Sequence, residues 1–308
     1  MSTAPVFTRV AVVGAGLIGG SIARRLVGLG AYVVVVDPDP GTREAAAAAG
    51  LAVAETVPAD RDLVVLAAPL DVIVATLPGV AAAAPDAVLV DVGSVKGTVR
   101  DACRDHGLES RWVGAHPMAG TELSGFDHAD PGLLVDVSWA VTRGPGPVAD
   151  VVRWVVDTFA ATAVVLDADA HDRAVALVSH APHVLANALL EVVERAADPA
   201  AAHLAAGSFR DGTRVAGRDP LRTRNMLADN AAALGPVVDD LVATLQDYRR
   251  DLDDRAALAD RLAGVTAGAD AVRRPEPRWQ PCPDLDAALA GDGPVLVREG
   301  VSGLESAR

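Results

Sequence analysis

Residues 10–21, Val-Ala-Val-Val-Gly-Ala-Gly-Leu-Ile-Gly-Gly-Ser, restrict the fold of this chain more than any other stretch. Four apolar residues suited to a buried strand run directly into Gly14, Gly16 and Gly19 in a GxGxxG register, and a helical pattern follows. In a strand–turn–helix unit the first glycine allows the tight turn, the second lets backbone approach a pyrophosphate, and the third lets the helix pack close to the strand. The unpaired amides of the helix N-terminus then face phosphate charge. A second Val-rich run, 32–36, ends in Asp37, about twenty residues on, where ribose hydroxyls would lie. Together these features predict a dinucleotide site contacted by Gly14, Gly16, Leu17, Ile18, Gly19 and Asp37, with Ala68 and Pro69 at the end of the third apolar run. Asp37 would accept a hydrogen bond from a 2′-hydroxyl and repel a 2′-phosphate, which favours NAD over NADP; Arg43 is the nearest residue that argues the other way.

Short Val-rich runs at 9–13, 32–36, 63–67, 88–92, 112–115, 139–142 and 163–166 alternate with Ala-rich helical stretches. That rhythm predicts an α/β fold, with an N-terminal Rossmann domain over 1–167 built as a doubly wound parallel sheet covered on both faces. From 168 the pattern turns helical, with long segments at 171–197 and 230–257, so an all-helical C-terminal domain is expected over 168–263 with no further strands. Pro182 falls inside the first segment, where its ring and missing N–H should kink the helix. Beyond 264 the prolines at 275, 277, 281 and 283 read as an irregular Pro-rich C-terminal arm, in which 294–297 would add at most a short element.

The 308 residues carry a net charge of −14, which argues against a nucleic-acid or anionic-membrane partner; an anionic substrate would need a locally basic site. Two distant cysteines suggest neither a disulfide framework nor a metal site. No basic leader opens the sequence, and no unbroken apolar run approaches the roughly 18 to 20 residues of a membrane span. A reducing cytoplasm is the setting these features suggest.

Three clusters carry candidate chemistry. At the ends of the fourth and fifth runs, Asp91-Val-Gly-Ser94-Val-Lys96 and His116-Pro-Met-Ala-Gly-Thr-Glu122 would share one rim of the sheet, where open α/β sheets place ligands. A histidine there can act as general base near neutral pH. Lys96 is the only lysine in the chain, which suggests a point charge wanted at the site. In the helical part, Ser179-His180-Ala-Pro-His183 with Asn187 would present one polar face. They lack further ligands at metal spacing, so a polar lining is the better reading and no metal is expected. Arg210 and Arg214, four apart around Gly212, form a plausible carboxylate clamp.

This ordered set, from Gly14-Ala-Gly-Leu-Ile-Gly-Gly-Ser21 through Asp91–Lys96, His116–Glu122, Ser179–His183 and Phe209-Arg-Asp-Gly-Thr-Arg214, resembles the prephenate and arogenate dehydrogenase family over roughly 6–257. The resemblance implies NAD-dependent oxidative decarboxylation in tyrosine biosynthesis by a homodimer, whose helical domain dimerises and whose active site lies between the two domains. It implies His116 as catalytic base and Ser94 as a bridge between substrate hydroxyl and nicotinamide. It further implies Arg214, with Arg210 and Lys96, on substrate carboxylates, and Glu122, His180 and His183 lining or gating the pocket. Prephenate and arogenate both stay open as substrate. A related enzyme acting on 4-amino-4-deoxyprephenate would reuse the same residues. A non-catalytic NAD-binding sensor would be expected to lack Ser94, His116 or Arg214, all of which are present.

Overall fold

The computed structural model describes residues 6–120, 123–217, 219–273, 277–300 and 303–307. Residues 1–171 and 279–308 form one compact unit, and 172–278 a second.

The first unit is built on strands β1 (Arg9–Val13), β2 (Tyr32–Val36), β3 (Ala52–Ala54), β4 (Leu63–Leu66), β5 (Val88–Asp91), β6 (Trp112–Pro117), β7 (Ser138–Thr142), β8 (Thr162–Leu166), β9 (Gln280–Pro281), β10 (Val295–Gly300) and β11 (Gly303–Ala307). They lie in the order β3-β2-β1-β4-β5-β6-β7-β8-β10-β11-β9. Strands β1 to β6 are parallel, and β7 runs antiparallel to β6. The period of two sorts side chains between two cores. On β1 and β4, Val10, Val12, Leu63 and Val65 face one side, where the helix Leu17–Gly28 packs Ile22 and Leu26. Ala11, Val64 and Leu66 face the other, where the helix Leu70–Ala83 packs Ile73, Leu77 and Val80. Because both faces are covered, β4 is buried at all four positions, and its apolar residues run unbroken instead of alternating. The first core ends in an aromatic cluster, with Trp139 stacked on Phe159 at 4.7 Å and Trp154 edge-on to Phe159 at 5.5 Å.

Strands do not stop at 166, as the sequence suggested. Strand β10 pairs antiparallel with β8, matching Val295 to Val165 and Val297 to Ala163, and β11 and β9 extend the sheet beyond it. The Pro-rich composition hides this return, yet Val295 and Val297 are buried while β8 gains a partner on what would be an open edge. Pro281 sits in the outermost strand, where a missing ladder donor costs least.

In the second unit the expected helix at 230–257 is two helices, Ala231–Asp251 and Arg255–Arg273. The Asp254 carboxylate accepts from the amides of Ala256 and Ala257 and so starts the second, which runs past 264 into the stretch expected to be irregular. Residues 168–196 are one continuous helix. Instead of a simple kink, it carries a π-helical turn at Ala176–His180 just ahead of Pro182, where the missing proline N–H loosens the hydrogen-bond ladder. Its most apolar stretch reaches a mean hydropathy of 1.3, long and apolar enough by length and composition alone to cross a membrane. Counting unbroken apolar runs missed it because scattered polar residues interrupt the run without lowering the average far.

Lys96 departs from its expected role. Its side chain is fully buried, its ammonium pairs with the buried Asp91 carboxylate and also donates to the Asp91 carbonyl at 3.2 Å, and its methylenes lie where a side chain at residue 114 would be. Trp112 Nε1 donates to Asp91 Oδ2 at 2.9 Å and the Gly93 amide to Oδ1 at 3.1 Å. The cation is thus part of the packing beneath the rim. Lys96→Met should therefore cost about 3–5 kcal/mol, because it strands a buried carboxylate. Denaturant unfolding will show this as a lowered midpoint; an unchanged midpoint would mean that the pair does not stabilise the sheet.

Candidate active site

The sheet order reverses between β1 and β4: the chain leaves β1 outward to β2 and β3, then returns to the other side of β1. At such a switch point the connections diverge and leave a crevice at the carboxyl ends of the strands. The GxGxxG turn fills its mouth. Gly14 has a φ of +90°, and a Cβ there would lie 2.6 Å from the Ala67 carbonyl oxygen at the end of β4. A Cβ on Gly19 would lie 1.9 Å from the Gly14 carbonyl oxygen, whereas one on Gly16 would meet nothing within 4 Å. Two glycines are therefore demanded by the protein's own backbone, and the third faces open space, as a cradle for a bound phosphate requires. The helix that follows has Gly16 as its cap, with no side-chain cap and no acidic residue in its first turn, so its amides and dipole remain available to an anion. Leu17 is buried beneath it and Ile18 half-buried, while Ala68 and Pro69 continue from β4 at the lip.

Asp37 ends β2 at the same edge. Its Oδ2 accepts from the Ala15 amide at 2.7 Å and its Oδ1 from the Asp39 amide at 2.9 Å, which locks the carboxylate to the glycine turn. Arg43 donates to the carbonyls of Asp37 and Pro38 at 2.6 and 3.0 Å.

Farther along this rim, Ser94 is exposed three residues beyond the end of β5, and His116 is half-buried near the end of β6. His116 Nδ1 lies 3.0 Å from His171 Nε2, with the rings edge-on at 72°. His171 is buried, on the helix Ala168–Val175. Sequence reasoning missed it: it belongs to no motif, and 55 residues separate it from its partner. The one available signal was a histidine at the start of an apolar helix.

The helical unit does not bring its three polar residues together. His180 is fully buried, and Asn230 spends its two amide hydrogens on His180 Nδ1 at 3.0 Å and the Asp172 carbonyl at 2.8 Å. It therefore belongs to the core of that unit and not to a pocket lining, because the π-helical turn rotates it inward. His183 is half-buried, with Nδ1 turned to the Ser179 carbonyl at 2.8 Å, and Asn187 donates to the His183 carbonyl. Arg210, in the short helix Gly207–Thr213, and Arg214 at its C-cap are exposed, and neither has an ion-pair partner among the described residues. Glu122 lies outside the described residues.

Residues 22–166 match the prephenate dehydrogenase nucleotide-binding domain, and 167–263 the prephenate dehydrogenase dimerization domain. The cyclohexadienyl dehydrogenase of Zymomonas mobilis is 32% identical over 264 residues, covering 79% of this chain and 88% of that one. The solved arogenate dehydrogenase of Synechocystis is 27% identical, with a TM-score of 0.76 over 85% of this chain and 99% of that one. The prephenate dehydrogenase of A. aeolicus, solved with hydroxyphenyl propionate and NAD+, shares the fold at a TM-score of 0.78 and 24% identity, over 88% of this chain and 99% of that one.

The glycine geometry separates folding from binding. Gly19→Ala should lower stability by about 1–3 kcal/mol or more, because the clash is with backbone that cannot yield. Gly16→Ala should keep the wild-type melting temperature and weaken NAD binding by roughly tenfold, the scale of one lost backbone–phosphate contact. Thermal unfolding and fluorescence titration of the two variants check this; a destabilised Gly16→Ala protein with unchanged affinity would reverse the assignment.

Proposed function

The chain belongs to the prephenate dehydrogenase family, and from that premise we propose that it catalyses the NAD-dependent oxidative decarboxylation of prephenate to 4-hydroxyphenylpyruvate, or of arogenate to tyrosine. The observation that carries this reading is the shared carboxyl edge, which puts the glycine cradle, Asp37, Ser94 and His116 along one rim. The activities named for the Zymomonas mobilis and Synechocystis relatives support the same reaction class.

The residues present fit NAD. The open space at Gly16 admits a pyrophosphate, and the oriented Asp37 carboxylate suits a ribose 2′-hydroxyl. Arg43 is held on backbone carbonyls at the foot of the turn, which leaves that carboxylate to repel a 2′-phosphate. When bound, NAD supplies the acceptor for the hydride that leaves substrate C4. His116 takes the C4 hydroxyl proton, which raises electron density on that oxygen and promotes hydride departure. Cleavage of the C1–carboxylate bond then returns its electron pair to the ring, and CO2 leaves as the ring becomes aromatic. The resulting phenolate recovers the proton from His116, so the base ends the cycle as it began. Ser94 orients the substrate hydroxyl, and Arg214 with Arg210 binds carboxylate through guanidinium hydrogen bonds. The protein supplies orientation, one base and cationic groups against its net negative charge.

The homodimer follows from the same premise. On the helix 168–196, Leu177 and Val178 are 59% and 68% exposed, and Leu185, Leu189 and Val192 recur at helical spacing, also exposed. An apolar stripe of this kind on a domain matched to a dimerization domain suits self-association. Light scattering should give twice the chain mass, and Leu185→Glu with Leu189→Glu should shift it toward monomer; a wild-type monomer would refute the assignment.

The activity is read as NADH formation with prephenate, arogenate and 4-amino-4-deoxyprephenate in parallel, each with NAD and NADP. Turnover of one of the first two with NAD is expected, and His116→Asn should lower it by roughly 10²–10⁴-fold without changing NAD affinity. Turnover of the 4-amino compound alone would overturn the substrate assignment. Near-normal turnover by His116→Asn would remove His116 as base.

A further inference from the structure

A general base needs its lone pair on the nitrogen that meets the substrate, and a neutral imidazole has only one such nitrogen. The contact between His116 Nδ1 and His171 Nε2, at 3.0 Å, is a hydrogen bond that holds a single proton between the two atoms. The two ways of placing that proton have opposite consequences. If His171 donates, His116 carries its proton on Nε2 and offers no lone pair there. If His116 donates from Nδ1, its Nε2 is the basic atom, and His171 carries its own proton on Nδ1.

From this geometry we infer that His171 is a positioning residue: its Nε2 accepts from His116 Nδ1, fixing the tautomer and ring orientation in which His116 Nε2 takes the substrate hydroxyl proton. This deepens the proposed function and rests on His116 being the base. His171 is well placed for the task. It is 1% exposed, so bulk water does not compete for the contact. Its backbone amide is held by the Asp167 carbonyl at 2.8 Å, and Asp169, two residues before it on the same helix, pairs with Arg100 at 2.6 Å on the helix Gly97–Asp105. His116 is held from the other side, because β6 pairs with β7 and sets His116 opposite Ala140. Both imidazoles therefore project from backbone that is fixed independently. When His116 takes up the substrate proton at Nε2, the existing Nδ1–H contact becomes charge-assisted, so the bond strengthens as charge develops on the ring.

The tautomer is read directly, on the full-length protein without substrate, from the imidazole nitrogen resonances of ¹⁵N-histidine-labelled chain, with His116→Asn and His171→Gln assigning the two rings among seven histidines. The expected result is His116 protonated on Nδ1 and bare on Nε2; His116 protonated on Nε2 would overturn the inference. Kinetics give a second readout. His171→Leu fills the buried volume without an acceptor and should lower kcat by roughly 10- to 100-fold while leaving KM and NAD affinity near wild type. His171→Gln places a carbonyl oxygen close to the position of Nε2 and should restore most of the loss. A His171→Leu enzyme as fast as wild type, or a folded His171→Gln enzyme as slow as His171→Leu, would count against the role. Because the resonance measurement needs no turnover, an inactive wild-type protein would fail the proposed reaction while the tautomer still decides the fate of this pair.

Discussion

The site depends on one close approach, that of the Gly14 turn to the end of β4. The sheet reverses its order between β1 and β4, and without a side chain at Gly14 or Gly19 the turn can tuck against Ala67 and its own carbonyl. Everything downstream takes its position from that contact. The Leu17–Gly28 helix starts where the turn ends, with no side-chain cap on its first amides, and Asp37 is tied to the same turn through the Ala15 amide. Parallel pairing from β1 through β6 then carries the edge along to Ser94 and His116, so a steric requirement at one strand fixes the direction in which residues 80 to 100 positions later face.

Electrostatics imposes a second constraint. A chain with a net charge of −14 that handles anions must concentrate its cations, yet its single lysine is consumed inside the sheet. There the ammonium offsets the Asp91 carboxylate, which also collects a Trp112 indole N–H and the Gly93 amide. A buried charge with several hydrogen bonds is tolerable, and one without them is not. Arg210 and Arg214, by contrast, are exposed with no acid within ion-pair reach among the described residues, and the planar guanidinium fork suits carboxylates.

What could be read in the sequence follows from how local each signal is. The glycine turn, both bounds of β1 and β2, and the shared rim of Ser94 and His116 depend on short-range periodicity and turn chemistry, which a sequence displays directly. Lys96 stood out by composition, but its direction depends on Asp91 at the end of β5 and on Trp112 across the next strand, and burial decides that choice. The C-terminal strands were concealed because three residues, Val295 to Val297, find their partner in β8 some 130 positions earlier while prolines dominate the surrounding composition. The inward turn of His180 depends on a π-helical turn, which shifts the helical register that face arguments assume.

The His116–His171 pair joins these themes. Orientation of a catalytic histidine by a carboxylate is familiar, and it adds a negative charge next to the base. At this rim that charge would stand beside a substrate that is itself anionic and a pyrophosphate seat along the same edge, in a protein already acidic overall. An imidazole acceptor can fix the same tautomer without adding a negative charge at the rim. An imidazole in that place therefore separates two demands that a carboxylate would couple: it would set the direction of the base through hydrogen bonding without adding a negative charge beside it.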